Sequence, residues 1–157
     1  MRLAILGLGN PILGDDGIGP RVAQELENHP RIQNLPNLEI VPFYRGGLSL
    51  MERLVGFDQA FIIDSIEGLD NSPGTIHRLS LDDLPTLNVN SSHDISLKAA
   101  LEFGKKLGLK LPESIIIYAI EIESKFEFTE MLSKEVEASI DPLVGDILHE
   151  LEILGYL

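Results

Sequence analysis

The stretch LAILGLGNPILGDDGIGPRVAQEL, residues 3–26, decides the fold of this chain. Its first four residues form an apolar run that ends at Gly7, which is typical of a short buried strand. Apolar residues then recur at helical spacing over residues 18–26, where Pro20 is tolerated only in a first helical turn. The stretch therefore predicts a strand, a glycine-rich loop and a helix in succession.

The same alternation continues along the rest of the chain. Apolar runs predict four more strands, and apolar residues at helical spacing predict three more helices. The segment after the third strand is too short for a helical crossover, so the fourth strand should run antiparallel to the others. The predicted strands are 38–43, 60–63, 75–80 and 114–122, and the predicted helices are 48–55, 95–107 and a final helix from Ser133 that Pro142 should break or kink.

Strands that alternate with helices predict a single α/β domain over residues 1–157. Its architecture is a three-layer α/β/α sandwich around a five-stranded mixed sheet, mostly parallel, with strand four antiparallel. Ligands of such sheets bind beyond the carboxyl ends of the parallel strands. The polar residues that follow strands one, two, three and five are therefore the candidates for function.

Charge and composition exclude several classes of function. Twelve Lys and Arg against 25 Asp and Glu give a net charge of −13, which repels phosphate backbones and anionic membranes. The chain has no cysteine, which excludes disulfides, thiolate metal ligands and cysteine nucleophiles. No stretch approaches the roughly 20 apolar residues of a membrane span, and no signal peptide is visible. We expect a cytoplasmic protein without a nucleic-acid or membrane partner.

The glycine-rich loop lacks the G-x-G-x-x-G pattern of a dinucleotide site, because Ile12 stands where the third glycine belongs. The loop instead brings Asp15 and Asp16 to the start of the first helix. One aspartate can cap that helix by accepting backbone N–H bonds, and we assign this role to Asp15. Because one helix start needs only one cap, Asp16 is the candidate metal ligand.

Asp64 and His93 are the other candidate ligands. Asp64 closes the apolar run of the third strand, where a carboxylate is costly unless it caps a turn, is paired or binds a metal. His93 lies in SSHD, residues 91–94, where Ser92 or Asp94 can cap the next helix. A lone loop histidine is more often simply solvated, but all three candidates map to one edge of the sheet. Two carboxylates and an imidazole suit a borderline divalent ion that acts as a Lewis acid or activates a water.

The remaining polar groups give weaker signals. The chain has no G-x-S-x-G elbow of a serine hydrolase. His149 is expected on the surface of the final helix, and His29 and His77 have no acidic partner in sequence that would single them out. Gly46 and Gly47 follow the second strand, where they form only a turn or let a bound peptide approach the backbone closely.

With these residues placed, the chain resembles the hydrogenase maturation endopeptidases, the proteases that trim the C-terminus of nickel-iron hydrogenase large subunits. The similarity covers nearly the whole length, and its motifs occur in the order that the family has. These motifs are GLGNPILGDDGIG at 7–19, GGLSLMERLVGFDQAFIIDSI at 46–66, SSHDISLKAAL at 91–101, and AIEIES at 119–124 followed by LSKEVEASIDPLV at 132–144.

The resemblance implies that Asp16, Asp64 and His93 form a metal-ligand trio in a phosphorylase/hydrolase-like fold, although the family often has glutamate at the position of Asp16. It implies an endopeptidase, classed as aspartyl-type, that rests without metal and recognises nickel already inserted in its substrate. Cadmium or zinc could then occupy the trio. The implied partner is a nickel-iron hydrogenase large-subunit precursor, whose C-terminal segment Gly46 and Gly47 would hold, and the implied state is a monomer.

Two other functions remain open at this point. A non-enzymatic nickel carrier or maturation chaperone would use the same trio only to bind. Peptidyl-tRNA hydrolases, which are esterases, also begin with GLGNP and have a related sheet. Their following histidine-bearing motif is absent here, and a charge of −13 suits tRNA poorly.

Overall fold

The computed structural model describes residues 1–44, 47–69, 71–86, 92–123 and 127–157, and for 84–86 and 92–96 it describes the backbone only. The strands are β1 (Leu3–Leu8), β2 (Leu38–Phe43), β3 (Gln59–Ile66), β4 (Ile76–Ser80) and β5 (Ser114–Glu121). The helices are α1 (Ile18–Glu27), α2 (Gly47–Leu54), α3 (Ser92–Lys106), α4 (Lys134–Glu137) and α5 (Ile140–Ile153), with 3-10 turns at Gly14–Gly17 and Leu81–Thr86. Within these ranges, no helix is long and apolar enough to cross a membrane.

The strands form one sheet in the order β2-β1-β3-β5-β4. Strands β1, β2, β3 and β5 are parallel, and β4 pairs antiparallel with β5, which confirms the predicted mixed sheet. Because β4 runs the other way, its first residues, Ile76 and His77, lie at the carboxyl edge of the parallel strands. The antiparallel strand thus adds side chains from its beginning to the edge where the parallel strands end.

Helices cover both faces of the sheet, as the three-layer prediction requires. Ala60, Ile62 and Ile66 of β3 pack in a buried cluster with residues of α2 and α3, and we call this side the α2–α3 face. Phe61 and Ile63 of the same strand pack in a second cluster with residues of α1, α4 and α5, which we call the α1–α5 face. The strand is apolar on both sides because each face is buried under helices.

The junction between β1 and α1 depends on a glycine within the opening stretch. A Cβ atom on Gly19 would come 2.1 Å from the carbonyl oxygen of Leu8 and 2.6 Å from that of Ile63. Only a residue without a side chain lets α1 approach the backbones of β1 and β3 this closely. The glycine therefore fixes α1, and the turn that carries Asp16, against the centre of the sheet.

The end of the chain shows the break that Pro142 predicted. The helix expected from Ser133 is divided into α4 and α5, and the proline falls in the first turn of α5, which begins at Ile140. In a first turn the missing N–H of proline has no intrahelical partner to lose. The break lies between the end of α4 at Glu137 and the start of α5. The proline therefore marks a helix start.

Candidate functional site

Asp16 lies in the 3-10 turn between β1 and α1, and hydrogen bonds hold both of its carboxylate oxygens. The backbone N–H of Asn10 donates to Oδ2 at 2.8 Å, and the hydroxyl of Ser65 donates to Oδ1 at 2.8 Å. Ser65 belongs to β3 and is buried. The carboxylate is thus tied both to its own loop and to the neighbouring strand.

Asp64 lies inside β3, whereas the sequence predicted that the strand ends there. The strand continues for two residues to Ile66, and Asp64 is only 3% exposed. Oδ1 of Asp64 accepts a hydrogen bond of 2.8 Å from the backbone N–H of Ser65. The hydroxyl of Ser65 also donates to Asp16, so two of the three predicted ligands are hydrogen-bonded to the same serine.

The third predicted ligand, His93, is the second residue of α3, which begins three residues earlier than the sequence predicted. Its side chain lies outside the described part of the chain, as do those of Ser92 and Asp94. Among the side chains that are described, no three carboxylates or imidazoles converge as a metal site would require. The metal-ligand role of Asp16, Asp64 and His93 stays a prediction.

The predicted peptide-binding glycines lie at the start of α2. Gly46 is outside the described residues. Gly47 is the first residue of α2 and has φ of 61°, a left-handed conformation that glycine adopts without strain. Its contact with a peptide stays a prediction.

Asp15 is not the helix cap that the sequence suggested. Neither the 3-10 turn nor α1 has a side-chain cap, and Oδ1 of Asp15 instead accepts a hydrogen bond of 2.6 Å from the backbone N–H of Ser133. The 3-10 turn makes a cap unnecessary, because the N–H of Ile18 donates to the backbone carbonyl of Asp15. The side chain of Asp15 is therefore available to hold the segment before α4 against the loop after β1.

Sequence reasoning missed the pairing of His77 with Glu121. Nε2 of His77 lies 2.7 Å from Oε1 of Glu121, and Glu121 is only 4% exposed. Oε2 of the same carboxylate accepts the backbone N–H of Asn71 at 3.0 Å. The two partners are 44 residues apart, so nothing in the local sequence links them. Only the strand order, with β4 antiparallel beside β5, could have revealed the pair. His149, by contrast, is exposed on α5 as predicted.

A cleft of about 570 Å³ opens beside the turn that carries Asp16. This volume is in the range of small-molecule sites. The cleft is formed by segments that follow β1, β3 and β5, and its lining includes Gly14, Asp15, Pro73, Glu123, Leu132 and Glu135. A backbone hydrogen bond of 2.8 Å from Gly14 to Thr129 joins two of these segments. The cleft lies at the carboxyl edge, where the sequence predicted ligand binding.

Comparison with known proteins gives a consistent family. The family model described as hydrogenase maturation protease matches residues 20–150 of this chain. Hydrogenase 2 maturation protease of Escherichia coli (strain K12) is 30% identical over 157 residues, which are 99% of this chain and 93% of that protein.

Solved structures agree in fold as well as in sequence. The hydrogenase maturating endopeptidase HybD from E. coli has a TM-score of 0.83 and 29% identity, covering 99% of this chain and 94% of that one. A hydrogenase 2 maturation peptidase from a Thaumarchaeota archaeon has a TM-score of 0.69 and 27% identity over 100% of both chains. The likeness therefore extends along the whole described architecture.

Proposed function

The chain belongs to the hydrogenase maturation protease family, and from this premise we propose that it removes the C-terminal extension of a nickel-iron hydrogenase large-subunit precursor after nickel has been inserted. The family supports a maturation endopeptidase that acts on a hydrogenase precursor. The order of events, with nickel insertion before cleavage, is the proposal. We further propose that the protein acts in the cytoplasm as a monomer.

The observation that supports this function best is the link from Asp16 through Ser65 to Asp64. Two carboxylates from different elements reach one edge of the sheet, and hydrogen bonds fix their orientation. A carboxylate has about four lone-pair positions, so the two bonds to Asp16 leave acceptor capacity for a metal ion. Outer hydrogen bonds of this kind hold metal ligands in place and tune their basicity.

We propose His93 as the third ligand. Its backbone lies in the first turn of α3. This helix covers the α2–α3 face of the sheet, on which Ile62 and Ile66 of β3 lie. Two carboxylates with one imidazole, and no thiolate, suit borderline divalent ions and hold them less tightly than cysteine-rich sites do. The resting protein is accordingly metal-free in this proposal, and added cadmium or zinc can occupy the trio.

The nickel ion reaches this site as part of the precursor and completes its coordination with Asp16, Asp64 and His93. Cleavage then depends on nickel insertion, because neither half of the ligand set binds the ion well alone. An ion held by these residues would polarise the scissile carbonyl or supply an activated water. The cleft beside Asp15 offers room for the extended C-terminal segment, and Gly46 and Gly47 would hold part of that segment in this proposal.

The two alternative functions fare differently. The peptidyl-tRNA hydrolase interpretation rested on GLGNP at residues 7–11, and the 30% identity to a hydrogenase maturation protease covers 99% of this chain, that motif included. A nickel carrier would use the same ligands as a protease, so activity must decide between them.

The deciding experiment offers the purified protein one hydrogenase large-subunit precursor in two forms, with and without nickel, and follows loss of the C-terminal extension by mass spectrometry. We expect trimming of the nickel-loaded form alone. Equal trimming of both forms would contradict nickel recognition. Nickel transfer without trimming by folded protein would establish the carrier function instead.

A further inference from the structure

His77 and Glu121 form a pair that the proposed metal site does not use. Both carboxylate oxygens of Glu121 accept hydrogen bonds, Oε1 from His77 at 2.7 Å and Oε2 from the N–H of Asn71 at 3.0 Å. An imidazole whose Nε2 faces a carboxylate carries its proton on that nitrogen. Nδ1 of His77 is then the ring atom left to accept a proton.

The pair lies on the same face of the sheet as Asp64. Asp64 on β3 and His77 on β4 are both in register with Ala119 of β5, which lies between them. Side chains in register on neighbouring strands point to the same face, and two strand spacings separate the two Cα atoms by about 10 Å. The small side chain of Ala119 is all that stands between Asp64 and His77 in this row.

The antiparallel direction of β4 adds to this placement. His77 is the second residue of its strand, so it lies at the carboxyl edge, where the proposed site is. Its side chain is 23% exposed, whereas that of Glu121 is 5% exposed. The imidazole thus lies at the border between the core and the solvent, with its partner behind it.

A purely structural role explains the pair poorly. The segment before β4 is already held to β5 by backbone hydrogen bonds, from Gly74 to the carbonyl of Glu121 at 2.8 Å and from Glu121 to the carbonyl of Thr75 at 2.9 Å. Burying a carboxylate carries a desolvation cost that an apolar contact would avoid. A buried acid that orients a partly exposed imidazole is the arrangement that proton-transfer sites use.

We propose that His77 is a further catalytic residue of the peptidase and that Glu121 is its positioning residue. The inference rests on the proposed endopeptidase function. Nδ1 of His77 accepts a proton from water as the water oxygen bonds to the scissile carbonyl carbon. Glu121 stabilises the imidazolium that results, and Nδ1 then donates the proton to the amide nitrogen as the C–N bond breaks. One water is consumed, and a carboxylate and an amine are released.

The test compares His77→Gln with His77→Asn. The longer glutamine places an amide N–H where Nε2 was and keeps the bond to Glu121, whereas asparagine is too short to do so. Neither amide can accept and return a proton. A catalytic role predicts that both variants lose kcat on the nickel-loaded precursor by about 100-fold or more, with KM nearly unchanged. If the pair only stabilises the fold, His77→Gln should be close to wild type, and His77→Asn alone should lose stability and activity. This result would overturn the inference.

A double-mutant cycle provides the second readout. Glu121→Gln should lower kcat and leave KM nearly unchanged, and adding it to His77→Gln should cause no further loss, because Glu121 acts only through the imidazole. Additive losses would overturn that role. Arg78→Gln is the matched control, since Arg78 is the next residue of β4 and its side chain binds Glu150.

The same assay separates this inference from the proposed function. Trimming by wild type and by Arg78→Gln, with loss in both His77 variants, supports both. Trimming by His77→Gln at the wild-type kcat overturns the inference and leaves the proposed function standing. Failure of the folded wild-type protein to trim overturns both.

Discussion

The hydroxyl of Ser65 lies 2.8 Å from Oδ1 of Asp16 and joins the loop after β1 to the third strand. The backbone N–H of the same serine donates a hydrogen bond to Oδ1 of Asp64. A residue that is itself no ligand thereby sets the separation and orientation of two proposed ligands. Variants of Ser65 therefore probe the site without removing either carboxylate.

Ser65→Ala should reduce cleavage of the nickel-loaded precursor by about 10- to 100-fold, the usual effect of losing an outer hydrogen bond to a metal ligand. Asp16 would keep its charge but lose one of the two bonds that orient it. Rates from single-turnover mass spectrometry provide the measurement. Ser80→Ala is the control, because Ser80 is exposed and its hydroxyl donates to the nearby Asp83. Equal rates for Ser65→Ala and wild type would show that this bond does not orient the site.

Asp16→Asn, Asp64→Asn and His93→Ala should each abolish cadmium binding, measured by isothermal titration calorimetry, and each should abolish cleavage. Asparagine is chosen at position 64 because that side chain is buried, and alanine there would also disturb packing. Wild-type protein as purified should contain little metal by elemental analysis. Stoichiometric zinc that resists chelators would instead indicate a resident catalytic metal.

Asp15→Ala should lower the free energy of unfolding by about 1–2 kcal/mol, because it removes a charged acceptor from the N–H of Ser133. The cleavage rate should fall far less than in Asp16→Asn, because Asp15 lines the cleft but is not a proposed metal ligand. Urea unfolding at neutral pH measures the first effect, and the precursor assay measures the second. Asp15→Asn keeps an acceptor oxygen and should lose less stability. A loss of cleavage as complete as that of Asp16→Asn would mean that both aspartates belong to the site.

Gly19→Ala should destabilise the protein by at least about 3 kcal/mol, since its Cβ would overlap two backbone carbonyl oxygens that cannot rotate away. Gly145→Ala is the matched control in α5, where an added Cβ meets nothing within 4 Å. There the same substitution should stabilise by about 0.5–1 kcal/mol, because alanine favours helix. Guanidinium unfolding measures both changes, and a tolerated alanine at position 19 would contradict the close packing of α1.

Asp58→Asn should lower stability near neutral pH and make it less dependent on pH in the acid range. The backbone N–H of Arg2 and the ammonium of Lys110 lower the pKa of Asp58 below its ordinary value. A lowered folded-state pKa means that the stabilisation is present above the unfolded-state pKa of about 3.9 and is lost as pH falls through the folded value. The stability difference between wild type and variant should therefore be largest near neutral pH and shrink below about pH 4. Thermal unfolding from pH 2 to 7 measures it, and Lys110→Gln should show a smaller effect of the same sign.

The parts of the fold that follow from local pattern were predictable. The opening stretch specified β1, the loop and α1, and the short segment before β4 specified its antiparallel direction. Strand and helix ends were less certain, because tertiary pairing decides them. Hydrogen bonding to β5 extends β3 to Ile66, where the sequence alone suggested a stop at Asp64.

For the candidate site, the sequence located each residue relative to its own strand. It did not show which residues of different strands lie side by side. Asp16 and Asp64 could be assigned to one edge, but the serine that links them looked like any strand residue. The pairing of His77 with Glu121 depends on which strands are neighbours. A short stretch of sequence does not determine the order of the strands in the sheet. The bond from Asp15 to Ser133 spans 118 residues and is hidden for the same reason.

The close approach of Gly19 to the carbonyls of Leu8 and Ile63 also bears on the thermodynamics of substrate binding. Backbone meets backbone there, so no side-chain rotamer can change to let α1 slide or tilt. The loop that ends in α1 is ordered when the protein folds rather than when the precursor arrives. Its conformational entropy is already lost, and that loss does not subtract from the affinity for the precursor.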